Sequence, residues 1–196
     1  MKIPIIFLLI FTLGCNAPSI RFQNETGYII STIIDGSIKL MLPPQPFNVE
    51  KREEWEELKK ERLKNKSRVL VNPRISFQHF DSISIEYLNS SVAEFLPNSF
   101  RKGKDIDVQQ LNITINHNLK IIPYNPENQT RKKVLGEKDL AFYTFSPPIF
   151  DENFQKAVLL GSFNCGRLCF YSHLYLLEKG THGDWEIVKK IGLAVG

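Results

Sequence analysis

The chain has 196 residues, of which 42% are hydrophobic and 23% charged, and its formal net charge is +4. This composition is that of a globular protein, and the length is enough for one domain with its own hydrophobic core. The basic residues are spread along the chain without a dense stripe of interleaved aromatics, so we predict no nucleic-acid partner. Short apolar runs rich in Phe and Ile, cut by Pro, Asn and Gly, favour strands over helices.

The N-terminus has the pattern of an export signal. Met1-Lys2 is a short positive segment, and the apolar run 3–13 is too short to span a bilayer as a mature helix. The run ends at Gly14-Cys15, which resembles the loose lipobox of Bacteroidetes-type bacteria. In that signal the cysteine thiol receives a diacylglycerol and the chain is cut just before it. We therefore predict a signal peptide over 1–14 and lipidation of Cys15.

Two alternatives to lipidation remain open, namely an ordinary signal peptide cut nearby and an N-terminal anchor that is retained. If Cys15 is lipidated, we expect a tether over 15–27, a single domain over 28–196, and a membrane as partner through the N-terminal acyl chains. Residues 16–19 are polar and not acidic. This favours an outer-membrane lipoprotein facing the periplasm, with the inner membrane and the cell surface left open.

The first elements after the tether are predicted as a hairpin and a helix. Residues 28–35 and 37–42 are β-rich, and Asp35-Gly36 between them suits a type I′ turn. A short helix over 29–34 is the alternative, because Ile-rich runs are ambiguous. Residues 48–66 are predicted as a charged surface helix, with early Glu and late Lys and Arg that complement the helix dipole.

In the middle of the chain we predict a series of short strands, followed by a polar loop at 124–139. Alternating or β-rich runs predict these strands at 69–71, 75–80, 82–88, 105–116 and 119–122.

The last third has the clearest strand pattern. A strand at 140–145 ends at Ser146-Pro147-Pro148, and three further strands, 156–163, 170–178 and 185–195, are joined by short connections. Short connections between successive strands predict an antiparallel meander. The predicted fold is therefore α+β, an antiparallel sheet that ends in a three-stranded meander and packs against one charged helix.

Several short motifs follow one another along this last third. They are Phe145-Ser146-Pro147-Pro148-Ile149-Phe150, Lys156-Ala157-Val158-Leu159, Cys165-Gly166-Arg167-Leu168-Cys169, and Leu176-Leu177-Glu178-Lys179 followed by Gly183-Asp184-Trp185-Glu186-Ile187-Val188. Together they resemble a C-terminal module of uncharacterised Bacteroidetes-type lipoproteins and secreted proteins. The resemblance covers about residues 140–195, and it implies an envelope location and an α+β fold. It implies no catalytic residues.

Cys165 and Cys169 are the two cysteines that remain if Cys15 is lipidated. In an oxidising compartment, two cysteines in one hairpin loop can pair, so we predict a disulfide. A pair of free thiols and a redox-active pair are alternatives, as is a zinc site with His173 and His182.

No recognisable catalytic motif surrounds the other candidate residues. His79 and His117 lie in no hydrolase or metalloprotease pattern, and Glu178 and Glu186 fall on neighbouring predicted strands, where a solvated face is the simpler interpretation. We therefore predict no catalytic residue, cofactor or metal. The expected function is a non-enzymatic binding or envelope-complex protein. The alternatives are a small-ligand or hydrolytic domain with a pocket on a curved sheet, and an immunity-type inhibitor of an envelope toxin.

Overall fold

The structure, a computed structural model, describes residues 20–41, 52–63, 66, 68–96, 100–115, 119–124, 135, 139–165 and 169–195. The helices within these residues are α1 (Ile20–Met41), α2 (Arg52–Leu63) and α3 (Ser82–Phe95). The strands are β1 (Arg68–Val71), β2 (Arg74–Ile75), β3 (Phe100–Lys102), β4 (Ile106–Asp107), β5 (Lys120–Pro123), β6 (Asp139–Phe145), β7 (Ile149–Asp151), β8 (Lys156–Asn164), β9 (Phe170–Lys179) and β10 (Trp185–Val195).

Eight of these strands form one mixed sheet, in which the path of neighbours is β10-β9-β8-β6-β1-β5. Strand β1 is parallel to both β5 and β6, and the remaining pairs are antiparallel. Strand β7 pairs with β8, and β3 pairs with β7, while β2 and β4 form a separate two-stranded sheet. The predicted α+β class and its mostly antiparallel sheet are confirmed.

The C-terminal meander is confirmed almost residue for residue. Strands β8, β9 and β10 are successive antiparallel neighbours, and their bounds differ from the predicted ones by at most one residue. Side chains along β8 alternate between two buried layers: Leu159 lies in one core cluster, and Val158 and Leu160 lie in the other. Both faces of the sheet are therefore covered, and we call them the α1 face and the α3 face after the helices packed on them.

The predicted hairpin over 28–42 is wrong, because this segment belongs to α1. Its isoleucines are spaced as one helical stripe, Ile29, Ile30, Ile33, Ile34 and Ile38, and all five are at most 1% exposed. Burying each such side chain contributes about 2 kcal/mol, which outweighs the strand preference of isoleucine. Helix α1 begins at Ile20, so residues 20–27 of the predicted tether are helical, and the described domain begins before residue 28.

The predicted strands at 75–80 and 82–88 are also wrong over most of their length. Residues Phe77–His79 form a 3-10 turn, and α3 begins at Ser82. The Asp81 carboxylate caps α3 by accepting a hydrogen bond from the Ser84 amide at 2.7 Å, and this bond lowers the pKa of Asp81. An N-cap aspartate of this kind is a helix-start signal that the strand prediction did not weigh.

The other predicted strands and the predicted helix at 48–66 are confirmed, with one exception. Strands near 69–71, 119–122 and 140–145 are confirmed as β1, β5 and β6. Of the predicted strand at 105–116, the structure describes 105–115, and this part contains only β4 and a 3-10 turn as regular elements. Helix α2 confirms a helix within 48–66, and Asn48 lies outside the described residues. The buried helical side chains of the two core clusters come from α1 and α3. Within the described residues, no helix is long and apolar enough to cross a membrane.

Candidate functional site

The α1 face carries a buried ion pair that holds the start of β10 against α1. Lys179, at the end of β9, donates to Glu25 Oε1 at 2.6 Å, and the two side chains are only 14% and 11% exposed. The indole of Trp185 donates to the other carboxylate oxygen of Glu25 at 2.8 Å. One carboxylate from α1 thus binds two side chains that flank the β9–β10 turn. Because this turn packs on α1, the two elements form a fixed wall.

An open cleft of about 660 Å³ lies beside this wall, and we call it the α1 cleft. It is lined by polar and aromatic side chains of α1, by Thr114 and by the β9–β10 turn, namely Tyr28, Ser31, Thr32, Asp35, Thr114, His182, Gly183, Asp184 and Trp185. The Ser31 hydroxyl accepts a hydrogen bond from the Thr114 amide at 2.9 Å, which ties the 111–115 segment to α1. Tyr28 is 57% exposed at the rim. The cleft therefore offers carboxylates, hydroxyls, an imidazole and an aromatic ring on a rigid support.

Sequence reasoning missed the α1 wall of this cleft. The predicted hairpin would have put Tyr28 and Asp35 at opposite ends of one strand, whereas α1 brings both to the same cleft. The signal that could have found the helix is the i,i+4 spacing of Ile29 with Ile33, and of Ile30 with Ile34 and Ile38.

A second polar feature of the α1 face is a row of rings across β6, β8 and β9. The His173 ring lies 5.7 Å from the ring of Tyr175 and 6.0 Å from that of Tyr171. These three residues therefore share one face of β9, as alternate residues of a strand do. In register, His173 lies opposite Gly161 of β8 and Gly192 of β10. Neither glycine has a side chain of its own beside the imidazole, and the ring of Phe163 is stacked 6.4 Å from it.

The ionisable groups of this row are shifted toward their neutral forms. Burial, with a smaller contribution from the positive charge of Lys190, lowers the pKa of His173 to about 4. Burial also lowers the pKa of Lys190 and raises the pKa of Tyr175 to about 12. Within the described residues, His173 Nδ1 makes no hydrogen bond. At neutral pH the row therefore presents an uncharged imidazole whose Nδ1 is unsatisfied.

The two predicted disulfide cysteines are brought together at the far end of the β8–β9 hairpin. The Cα atoms of Cys165 and Cys169 are 5.2 Å apart, their sulfur atoms are in bonding contact, and the Cys165 amide donates to the Cys169 carbonyl at 2.9 Å. His182 lies in the β9–β10 turn at the opposite end of β9, so the alternative zinc grouping of these residues is not assembled. Among the described residues, no three His, Cys, Asp or Glu side chains are grouped to hold a metal.

The other candidate residues lie apart from both features. Glu178 and Glu186 lie on neighbouring strands, as predicted, and the register places them opposite each other. Glu178 forms an ion pair with Lys156 at 3.0 Å. His79 is exposed, and its Nε2 lies 3.0 Å from the Arg74 carbonyl oxygen. Cys15 and His117 lie outside the described residues.

Several motif residues of the last third have packing roles in the described structure. The buried Ser146 hydroxyl accepts a hydrogen bond from the Leu160 amide at 2.9 Å, which joins the end of β6 to β8. The ring of Phe150 lies 5.1 Å from that of Phe22 and 5.8 Å from that of Trp185. These motif residues therefore join β6 to β8 and pack β7 against α1 and the start of β10. The chain matches no protein-family model, no curated protein and no solved structure.

Proposed function

We propose that this chain is a membrane-anchored lipoprotein of the bacterial envelope, related to the Bacteroidetes-type family that it resembles, and that it works by binding a partner in the α1 cleft. The anchor is the lipidated Cys15, and the domain faces the periplasm. The observation that carries the binding function is the cleft itself, because it joins a rigid wall to exposed polar and aromatic side chains.

The anchoring part of the proposal is supported by where the domain begins. Helix α1 starts at Ile20, five residues after Cys15. Five extended residues reach at most about 18 Å. A diacylglycerol on Cys15 would therefore hold the domain close to the bilayer surface rather than on a long spacer.

The binding part is supported by the openness of the cleft. His182, Gly183 and Asp184 at its edge are exposed, and Tyr28 stands more than half exposed beside them. Small-molecule sites in proteins enclose about 70–90% of a ligand's surface, which an open cleft does not. A protein segment that lays a few side chains along the cleft fits this shape, and the exposed carboxylate of Asp184 favours a segment with basic residues.

Lipidation is tested by replacing Cys15 with Ser. The parent protein is expected to carry acyl chains by intact mass and to stay with membranes after a high-salt wash. The Cys15→Ser variant is expected to carry no acyl mass and to leave the membrane fraction. A variant that still sediments with membranes after that wash would contradict the lipid anchor.

Binding in the cleft is tested with a photo-cross-linking amino acid at Tyr28 in cells that make the native protein. The matched control carries the same group at Tyr87 on α3, where the parent side chain is 53% exposed against 57% for Tyr28. We expect one discrete adduct from position 28 and none from position 87. The adduct should disappear when Asp184→Lys is added. Equal adducts at both positions, or none at position 28, would count against the cleft.

The oxidised state of Cys165 and Cys169 is part of the same proposal, because an exported protein meets an oxidising compartment. Intact mass after alkylation should show two unlabelled cysteines without reductant and two labelled ones after reduction. Labelling of both thiols without reductant would show that the bridge is absent in the isolated protein.

A further inference from the structure

An exposed basic and apolar surface lies where the domain meets its tether. It consists of Ile20 and Arg21 at the start of α1 and of Phe100, Arg101 and Lys102 in β3, and we call it the basal patch. All five residues are exposed, Ile20 by 77% and Phe100 by 50%. Exposed apolar side chains interleaved with basic ones are typical of surfaces that lie on a membrane.

The two parts of the basal patch are joined through one ring. The guanidinium carbon of Arg21 lies 4.6 Å from the centroid of Phe154, and that of Arg101 lies 5.5 Å from the same centroid. Gly103, which follows β3, lies so close to Phe22 and Pro148 that a Cβ there would overlap both. The start of α1 and strand β3 therefore form one continuous surface, although 78 residues separate Phe22 from Phe100 in the chain.

The charge balance of this surface is positive. Of the nearby acids, Asp105 is paired with Arg74 at 3.1 Å. Asp151 keeps its negative charge while it accepts hydrogen bonds from the Gln155 and Lys156 amides, and Glu152 is exposed in the β7–β8 turn. The three basic residues of the patch outnumber these two carboxylates, and this excess of positive charge favours an anionic partner.

We infer that the basal patch docks on the anionic lipid headgroups of the membrane that holds the chain, with Ile20 and Phe100 entering the headgroup region. The inference rests on the proposed anchor at Cys15, since five residues cannot carry the start of α1 more than about 18 Å from the bilayer. Basic side chains near an anionic leaflet each strengthen binding about five-fold. The Cys165–Cys169 end of β8, about 30 Å along the strand, then lies on the side away from the membrane.

A lysine-bearing edge strand can also serve to block edge-to-edge pairing, and this role predicts no effect of lipid. Within the described sheet, β3 pairs only with β7, so its outer edge is unpaired. Strand β10 forms another edge of the same sheet and carries exposed Val188 and Lys189, which makes it an internal control.

The test is hydrogen exchange of the full purified protein, reconstituted in vesicles of phosphatidylglycerol and, separately, of phosphatidylcholine. We expect the amides of 100–104 to exchange more slowly on phosphatidylglycerol only, with β10 unchanged on both. The protection should vanish in 1 M NaCl, which shortens the range of exposed charges to about 3 Å without any mutation. Equal exchange on both lipids would overturn the inference. Protection that needs no vesicles and grows with protein concentration would assign the edge to a second copy of the chain instead.

Charge variants sharpen the result. Arg101→Gln with Lys102→Gln should weaken docking roughly 30-fold and abolish the protection. Lys60→Gln with Lys189→Gln removes the same charge from other exposed positions and should leave the protection in place.

Intact mass shows separately whether Cys15 carries acyl chains. If Cys15 carries no acyl chain, the same protein is sedimented with each vesicle type, and selective binding to phosphatidylglycerol still supports the basal patch while its absence overturns it.

Discussion

The two faces of the sheet are both buried, but they are built from different chemistry. The buried hydrophobic side chains of the α3 face are aliphatic: α3 contributes Leu88 and Val92, its C-cap is Leu96, and the strands add Ile149, Val158, Leu160, Leu174 and Leu176. The α1 face also has a large apolar core, yet it contains the Glu25–Lys179 pair and the His173 row. A layer whose only task is packing needs no buried ions, since hydrophobic replacements of similar volume are often as stable. The comparison therefore points to the α1 face as the side on which function constrains the residues.

The largest effect is expected from breaking the ion pair of the α1 face. Replacing Glu25 with Ala leaves the Lys179 ammonium and the Trp185 indole N–H buried without their acceptor. Stranding one partner of a buried pair costs about 3–5 kcal/mol. Urea unfolding followed by circular dichroism should show this loss of unfolding free energy.

The double variant Glu25→Met with Lys179→Met is the control for that measurement. It removes both charges and keeps side-chain volume, so it should recover most of the stability. A residual loss of about 1–2 kcal/mol is expected from the unpaired indole N–H. If the double variant is as unstable as Glu25→Ala, the loss comes from packing and the contrast between the faces weakens.

A simple cavity effect is expected on the α3 face. Leu88 is 1% exposed, and Leu88→Ala should lower the unfolding free energy by roughly 3 kcal/mol. Leu88→Met should cost less than about 1.5 kcal/mol, because it nearly conserves volume. The cost of both substitutions should be the same at pH 5 and pH 7. A pH-dependent cost would mean that this face is not the plain apolar layer described above.

The meander could be predicted from the sequence and α1 could not. The reason is that the meander is formed by strands close together in the chain, whereas α1 packs on strands that are distant in the chain. Strands β8 and β9 are short runs cut by turn residues, and each pairs with the next strand along the chain, β8 with β9 and β9 with β10. The run 28–38 is also rich in strand-favouring residues, in this case five isoleucines. Its conformation is decided by the distant β-strands on which Ile29, Ile33 and Ile38 pack. Local propensity carries no information about that surface.

The sites follow the same division. Cys165 and Cys169 are four residues apart, so their meeting at a hairpin end could be read from the chain. Glu25 forms an ion pair with Lys179, which is 154 residues away in the chain, and Arg21 and Arg101 both lie over the ring of Phe154. No local sequence pattern predicts these contacts. The sequence prediction therefore found the cysteine pair and missed both the α1 cleft and the basal patch.

A smaller effect is expected from the glycines that flank His173. A Cβ on Gly161 would lie 3.0 Å from Tyr175 Cε2 and 3.1 Å from two ring carbons of Phe145, whereas one on Gly192 would meet no atom within 4 Å. Because Tyr175 and Phe145 are fully buried, Gly161→Ala should cost about 1–3 kcal/mol and alter the near-ultraviolet circular dichroism of the rings. Gly192→Ala should stay within about 0.5 kcal/mol of the parent. Equal costs at the two positions would show that the aromatic row is not tightly packed over Gly161.

The smallest effect is a pH dependence confined to the α1 face. The folded-state pKa of His173 is about 4, below the ordinary value of 6.5, so the unfolded chain binds a proton there first as the pH falls. The stabilisation by neutral His173 is therefore complete above pH 6.5 and is lost as the pH falls from 6.5 to 4. After allowance for solvent screening at this half-buried position, the loss is roughly 1 kcal/mol. His173→Gln should flatten that part of the stability profile in urea unfolding at matched pH values. Lys190→Met removes a positive neighbour and so raises the folded-state pKa of His173, which should raise the lower end of the pH range and make the loss smaller. Parallel profiles for the parent and His173→Gln would remove His173 from the polar character of this face, and the Glu25–Lys179 pair alone would then distinguish it from the α3 face.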